Sequence, residues 1–228
     1  MKTYLRALIN LIYPKACVGC GLSLLHEEEF LCVQCEIDLP LNPFIHLQEN
    51  EIKTVFDGRL PLVCANTFLS FSKNGITQHL MHALKYQDRQ DVGEFLGRRF
   101  AAELDTFFTP QIDIIIPVPL HPEKQYLRGY NQCSSIAKGM ATVLGCAVLE
   151  DVIVRNTSNT SQTKLNRAKR WDNVKGIFEL VNPNAIANKH VLLIDDTLTT
   201  GATLESCGSE VIKSPNTLLS IATLAYAK

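Results

Sequence analysis

Two aspartates in succession, Asp195 and Asp196, stand directly behind the apolar run Val191–Ile194 and ahead of Thr197, Leu198, Thr199, Thr200, Gly201, Ala202 and Thr203. A continuous apolar run suits a strand buried on both faces. Its two acids then project from the carboxyl end of a sheet, where carboxylates can accept hydrogen bonds from sugar hydroxyls or hold hydrated Mg²⁺. The threonines at 197, 199, 200 and 203 supply hydroxyl donors, and Gly201 permits a tight turn into the next helix. Outward-pointing N–H groups at a helix N-terminus carry partial positive charge, so a phosphate monoester can bind there without a lysine. Acids and loop together suit a ribose 5-phosphate. An isolated Asp-Asp has a plainer reading, an ordinary strand-to-helix turn with aspartate as N-cap.

A second buried strand, Ile112–Val118, runs into prolines and then the segment Leu120–Gln132 (LHPEKQYLRGYNQ), expected to be a strand-end loop. Its cations, Lys124 and Arg128, suit a leaving pyrophosphate or a merely solvated surface. Between Arg155 and Lys175 lie six basic residues (Arg155, Lys164, Arg167, Lys169, Arg170, Lys175) against one acid, Asp172. Three readings of this patch stay open: a lid that closes over pyrophosphate, a surface for single-stranded nucleic acid, or a solvated loop. Trp171 could stack on a base or pack in a core.

Cys17-x2-Cys20 and Cys32-x2-Cys35 form two knuckles separated by eleven residues. That spacing predicts one tetrahedral Zn²⁺ held by four thiolates, with no open position for substrate and therefore a structural role. Redox-active dithiols or disulfides are the alternative. So short a module has little core of its own, and metal binding would contribute folding energy directly. The remaining cysteines, Cys64, Cys133, Cys146 and Cys207, are dispersed and read as buried fillers. The six histidines show no triad or ligand spacing.

These groups need elements to position them. The chain has 228 residues, 46% hydrophobic and 20% charged, with a formal net charge of −1. Such a chain suits one sizeable core with a small appendage, and the near-neutral total gives no global reason to bind nucleic acid. We expect an N-terminal module over residues 1–50, opening with an amphipathic helix at Tyr4–Tyr13, and a main domain over 51–228. After an apolar stretch at Leu62–Phe71, helical spacing recurs at Ile76–Tyr86, Val92–Phe107, Asn131–Leu144 and Ala202–Ile212. Strands are expected at Ile112–Val118, Ala147–Val154, Gly176–Leu180, His190–Asp195 and Thr217–Tyr226. The alternation predicts a parallel sheet flanked by helices, with ligands at the carboxyl ends of its strands. The apolar N-terminus lacks a cleavage site and no run is long enough to span a membrane, so a cytoplasmic location with reduced cysteines is expected.

The string Val191–Thr203 (VLLIDDTLTTGAT) resembles the signature of type I phosphoribosyltransferases, which implies that Asp195 and Asp196 hold the ribose hydroxyls and residues Thr197 to Thr203 grip the 5-phosphate of phosphoribosyl pyrophosphate. RGYNQ (128–132) behind a PVPL strand, LKYQD (84–88) and QTKLNRAKRWDNVKGIF (162–178) resemble one subgroup, the ComF/GntX family of competence-related proteins. That resemblance covers nearly the full chain. It implies a type I phosphoribosyltransferase-like α/β domain, an N-terminal zinc module at Cys17, Cys20, Cys32 and Cys35, and Mg²⁺ bound with phosphoribosyl pyrophosphate. Arg128 and Lys124, with Arg167 and Arg170 from the basic segment, are then expected on the pyrophosphate side. The rival expectation is a non-catalytic module of DNA uptake that binds single-stranded DNA or a helicase partner. A glutamine-dependent amidotransferase shares the loop but needs an N-terminal nucleophilic cysteine, and this chain begins Met1-Lys2.

Overall fold

The apolar runs form strands that lie side by side and parallel. In the computed structural model, which describes residues 15–43, 45, 50–105, 111–156 and 176–227, β1 (Leu62–Ser70), β2 (Ile114–Pro117), β3 (Ala147–Val148), β6 (His190–Leu198) and β7 (Leu218–Tyr226) build one five-stranded sheet in the order β1-β7-β6-β2-β3. Every pairing in it is parallel. A second, two-stranded antiparallel sheet pairs β4 (Ile153–Arg155) with β5 (Phe178–Leu180). The expected strand Ala147–Val154 therefore breaks in two, its halves serving different sheets. Two short helices, α1 (Val33–Ile37) and α2 (Glu51–Thr54), precede the main sheet. The expected helix at Tyr4–Tyr13 and the basic residues Lys164, Arg167, Lys169, Arg170 and Lys175, with Trp171, lie outside the described residues.

Side chains on a strand alternate between faces, and β6 distributes its own to two cores. Leu192 and Ile194 join a cluster with Leu80, Leu84, Leu96, Phe100, Ile136 and Met140. These come from α3 (Ile76–Tyr86), α4 (Gln90–Asp105) and α6 (Gln132–Leu144). Val191 and Leu193 join Leu204, Cys207 and Val211 of α7 (Ala202–Val211), together with Ile52 and Phe56. α4 and α6 approach so closely that a Cβ at Gly97 would lie 2.2 Å from the Ile136 carbonyl oxygen, and one at Gly139 2.1 Å from that of Glu94. Glycine is thus the residue that permits this crossing.

The strand order places the site. From β2 the chain passes through α6 to β3 on one side, whereas from β6 it passes through α7 to β7 on the other. Strand order thus reverses between β2 and β6, and open parallel sheets bind ligands in the crevice at the carboxyl ends of such a pair. Pro117 of β2 is in register with Ile194, so Asp195 is the first residue of β6 beyond its neighbour. β6 itself runs past the acids as far as Leu198, held there by β7 through Thr197↔Ala225 and Leu198↔Tyr226.

The segment after β2 differs from the expected loop. Pro122–Arg128 is a helix, α5, with Pro122 in the first turn, where its missing N–H leaves no bond unmade, and His121 accepting from the Glu123 N–H. Gly129 ends it in the left-handed region at φ 78°. Periodicity missed the helix because it buries none of its residues.

Candidate functional site

Alternation along β6 divides the two acids. Asp196 is buried on the side of α3 and α6: Lys85 Nζ lies 3.1 Å from its Oδ1, and Gln132 Nε2 donates to its Oδ2 at 2.6 Å. Lys85 also donates to Thr197 Oγ1 at 3.3 Å. Asp195 is partly exposed and lines a hollow with Thr197–Leu204. Its Oδ1 accepts from the Asp196 N–H at 2.8 Å and from the Cys133 thiol at 3.5 Å. Burial, and then the charge of Asp196, push the Asp195 carboxyl up to about 6, against the opposing pull of the Asp196 N–H, the Cys133 thiol and Lys85. Burial and both acids push the Cys133 thiol well above its ordinary range, so it stays protonated and donates.

Behind the hollow, α2 and the turn that follows it hold the loop from outside. Arg59 Nη1 donates to the Thr200 carbonyl at 3.0 Å and to the Val55 carbonyl at 2.9 Å, and its guanidinium pairs with Glu205 in the first turn of α7. In a trans peptide the N–H points opposite to the C=O. With the Thr200 oxygen turned to Arg59, the Gly201 N–H therefore faces away from it, as a phosphate cradle needs. Gly201 itself sits at φ 78°, with Phe56 Cε1 2.9 Å from where a Cβ would be. Gly201→Ala is expected to cost about 2 kcal/mol or more in left-handed backbone strain and ring displacement, a fall of roughly 5 °C in melting temperature. Calorimetric scanning checks it, and an unchanged melting point would remove Phe56 as the loop's support.

The expected cations divide as well. Arg128 Nη1 donates to Gln132 Oε1 at 2.6 Å and lies 5.6 Å from the Tyr86 ring centroid. It steers Gln132, which in turn holds Asp196. Lys124 stands on the exposed face of α5. Arg167 and Arg170 lie outside the described residues. Four contributors were not among the expected site residues: Lys85, Gln132, Phe56 and Arg59. Lys85 and Gln132 sit inside LKYQD and RGYNQ, so those strings were the available signal. Phe56 and Arg59 act through tertiary packing and leave no mark in local spacing.

Among the described residues, two groups of side chains could hold a metal ion: Cys17, Cys20, Cys32 and Cys35, and Cys133 with Asp195 and Asp196, the ligand atoms within each group lying within 4.8 Å of one another. Cys20 and Cys32 Sγ are 3.7 Å apart, against about 3.8 Å for the edge of a tetrahedron with Zn–S bonds near 2.3 Å. Burial opposes ionisation of Cys17, but the backbone N–H groups of Cys32, Cys20 and Gly19 outweigh it and bring the thiol down to about 7, whereas burial and the neighbouring thiols push the Cys35 thiol well up in the metal-free cluster. This donor set fits a closed thiolate site. In the second group only the carboxylates suit a hard cation such as Mg²⁺. Lys85 and Gln132 already engage both oxygens of Asp196, so a cation has its clearest approach at Asp195.

The module that carries the four cysteines packs on the far side of α3 and α4. Phe30 packs on Phe95 at 4.8 Å between centroids, Arg99 Nη1 bonds Glu36 Oε2 at 3.1 Å, and the Gly19 carbonyl lies 2.5 Å from His79 Nδ1.

No family model matches the chain. It is 28% identical over 200 residues to Competence protein F of Haemophilus influenzae, covering 82% of this chain and 86% of that protein. It is 29% identical over 139 residues to the DNA utilization protein YhgH of Salmonella typhi, covering 59% of this chain and 60% of that protein, so the match spans about three fifths of that relative's length. Competence protein ComFC of Bacillus subtilis is 22% identical over 134 residues, covering 59% and 52%. Among solved structures, the glutamine phosphoribosylpyrophosphate amidotransferase of B. subtilis overlaps at a TM-score of 0.45 with 18% identity, over 63% of this chain and 30% of that one. Adenine phosphoribosyltransferase of Saccharomyces cerevisiae overlaps at 0.39 with 15% identity, over 60% and 69%. What the chain itself shows is a five-stranded parallel sheet packed on both faces, with the acids and the loop at the carboxyl end of β6. Among the described residues no helix is long and apolar enough to cross a membrane.

Proposed function

We propose that this chain, a ComF-type relative of the competence and DNA utilization proteins, binds phosphoribosyl pyrophosphate with Mg²⁺ at the end of β6 and passes its ribosyl 5-phosphate to an acceptor. The observation that carries this reading is the hollow itself: Asp195 and residues Thr197 to Thr203 line one cavity, at the crevice where strand order reverses. The loop and the first turn of α7 take the 5-phosphate through backbone N–H groups and threonine hydroxyls. Asp195 accepts from a ribose hydroxyl, and Asp196, engaged by Gln132 and Lys85 before a ligand arrives, stands beside it. A bound Mg²⁺ would neutralise the leaving pyrophosphate, with Asp195 the accessible carboxylate. The bond from the sugar's anomeric carbon to pyrophosphate breaks ahead of acceptor attack, and charge develops on the ring. Positioning and fixed charge then do most of the catalysis. Arg128, Lys124, Arg167 and Arg170 are assigned to the pyrophosphate side, and a zinc ion to the four cysteines.

Titration with phosphoribosyl pyrophosphate and Mg²⁺ by calorimetry is expected to give saturable heat for the wild type and none for Asp195→Ala, and equal heats would sink the assignment. Screening acceptors for pyrophosphate release then tests transfer. The names of the relatives favour a second reading, a DNA-uptake or DNA-processing module that binds single-stranded DNA or a helicase through its basic segment. Affinity for single-stranded DNA that falls with salt, and is lost on neutralising Arg167, Lys169 and Arg170, would support it, since phosphate contacts release counterions.

A further inference from the structure

Lys85 lies in the last turn of α3, outside the signature loop, yet its ammonium stands against the acids. It lies 3.1 Å from Asp196 Oδ1 and 3.3 Å from Thr197 Oγ1. Gln132 takes the other Asp196 oxygen at 2.6 Å. The two acids therefore present one neutralised carboxylate and one that is partly open. A divalent cation arriving alone meets an ammonium where its second carboxylate should be, and like charges at this separation in a partly buried site repel strongly. A ligand that carries a pyrophosphate changes the balance, because its oxygens offer the ammonium a new and more highly charged partner. The lysine stem is long and flexible, and the side chain is 22% exposed, so it can turn toward such a ligand without breaking the core. Both groups on Asp196 meet at one corner, where Arg128 lies over Tyr86, the residue after Lys85, and holds Gln132.

We propose that Lys85 is a specificity-determining residue: it occupies Asp196 in place of a divalent cation and yields it only to a ligand whose own pyrophosphate takes over the ammonium. The acids thereby accept metal together with the sugar pyrophosphate and discriminate against free metal or a metal with a simple phosphate. This inference rests on the phosphoribosyl pyrophosphate reading.

The probe is Mn²⁺, followed by electron paramagnetic resonance and calorimetry on the full chain, for the wild type, Lys85→Met and Lys85→Gln. Without sugar phosphate, both variants are expected to bind Mn²⁺ at the acids at least tenfold more tightly than the wild type. Their affinity for phosphoribosyl pyrophosphate with Mg²⁺ is expected to fall at least tenfold. Opposite signs for the two ligands are what a merely structural lysine does not produce. Unchanged Mn²⁺ affinity in variants of a wild type that does bind phosphoribosyl pyrophosphate overturns the role of Lys85 alone. A wild type that binds no phosphoribosyl pyrophosphate overturns the underlying function, and this inference with it. Should neither variant fold, ¹⁵N spectra of the wild-type lysine ammonium decide: the Lys85 signal is expected to move when Mg²⁺ and phosphoribosyl pyrophosphate are added together, and movement with Mg²⁺ alone overturns the proposal.

Discussion

Stripping the metal from the four-cysteine knuckle is expected to lower the melting temperature by roughly 8–16 °C and to release one zinc ion per chain. Coordination of a structural zinc is worth on the order of 10 kcal/mol in small modules at neutral pH, much of it consumed in ordering the ligands. Here the ordering reaches beyond the ligands. Cys17, Phe30, Leu31, Cys35 and Leu39 belong to the same buried cluster as Leu80, Leu96 and Phe100 of α3 and α4. Loosening the knuckle exposes Phe30 and Phe95 and frees the Gly19 carbonyl from His79. A net loss of roughly 4 kcal/mol corresponds to about 8–16 °C for a domain of this size. Cys32→Ser is expected to reproduce most of the effect, whereas Cys207→Ser, which touches the other core, leaves zinc content unchanged. Metal analysis with scanning calorimetry before and after chelation checks this. A chain that carries no zinc, or that keeps its melting point without it, would return the knuckles to the redox reading.

How far this fold is legible in its sequence follows from what each signal depends on. Val191–Ile194, Ile114–Ile116 and the helices at 76–86 and 132–144 declare themselves because burial on both faces, or on one stripe, imposes a local period. The acids and the glycine-threonine loop are legible because their chemistry is confined to consecutive residues. What escapes is what depends on distant partners. α5 has no buried face to impose a period, and β3 and β4 are too short to separate by pattern, although they serve different sheets. Lys85 stands 112 positions before Thr197 in the chain, and only the packing of α3 against β6 brings its ammonium to Thr197 and Asp196. Arg59 and Phe56 escape for the same reason, since nothing in the residues just before β1 marks them as supports for a loop beyond residue 196.

Replacing Asp195 with asparagine is expected to make the protein more stable and its site useless, and the two effects share one cause. Burial and the charge of Asp196 hold the Asp195 carboxyl at about 6, against an ordinary value of 3.8. A raised carboxyl means that the fold favours the protonated form. The stabilising contribution of that proton is complete below about pH 4, declines as pH rises toward 6, and is gone above it. At pH 7.5 the ionised group therefore costs the fold about 2–3 kcal/mol, taking about two pKa units at roughly 1.4 kcal/mol each. Asparagine is neutral at every pH, and its side-chain oxygen can still accept from the Asp196 N–H and the Cys133 thiol. Asp195→Asn, without added metal, is thus expected to melt roughly 5–10 °C above the wild type at pH 7.5, with the gap closing as pH falls to 4. The same change removes the carboxylate proposed to accept from a ribose hydroxyl, and binding of phosphoribosyl pyrophosphate with Mg²⁺ is expected to fall at least a hundredfold, about 2.7 kcal/mol or more. Melting curves across pH 4–8 beside calorimetric titrations check both halves. A variant no more stable than the wild type at pH 7.5 would mean that the ionised carboxylate is not under strain. A more stable variant that still binds the sugar pyrophosphate would show strain without the use that justifies keeping it.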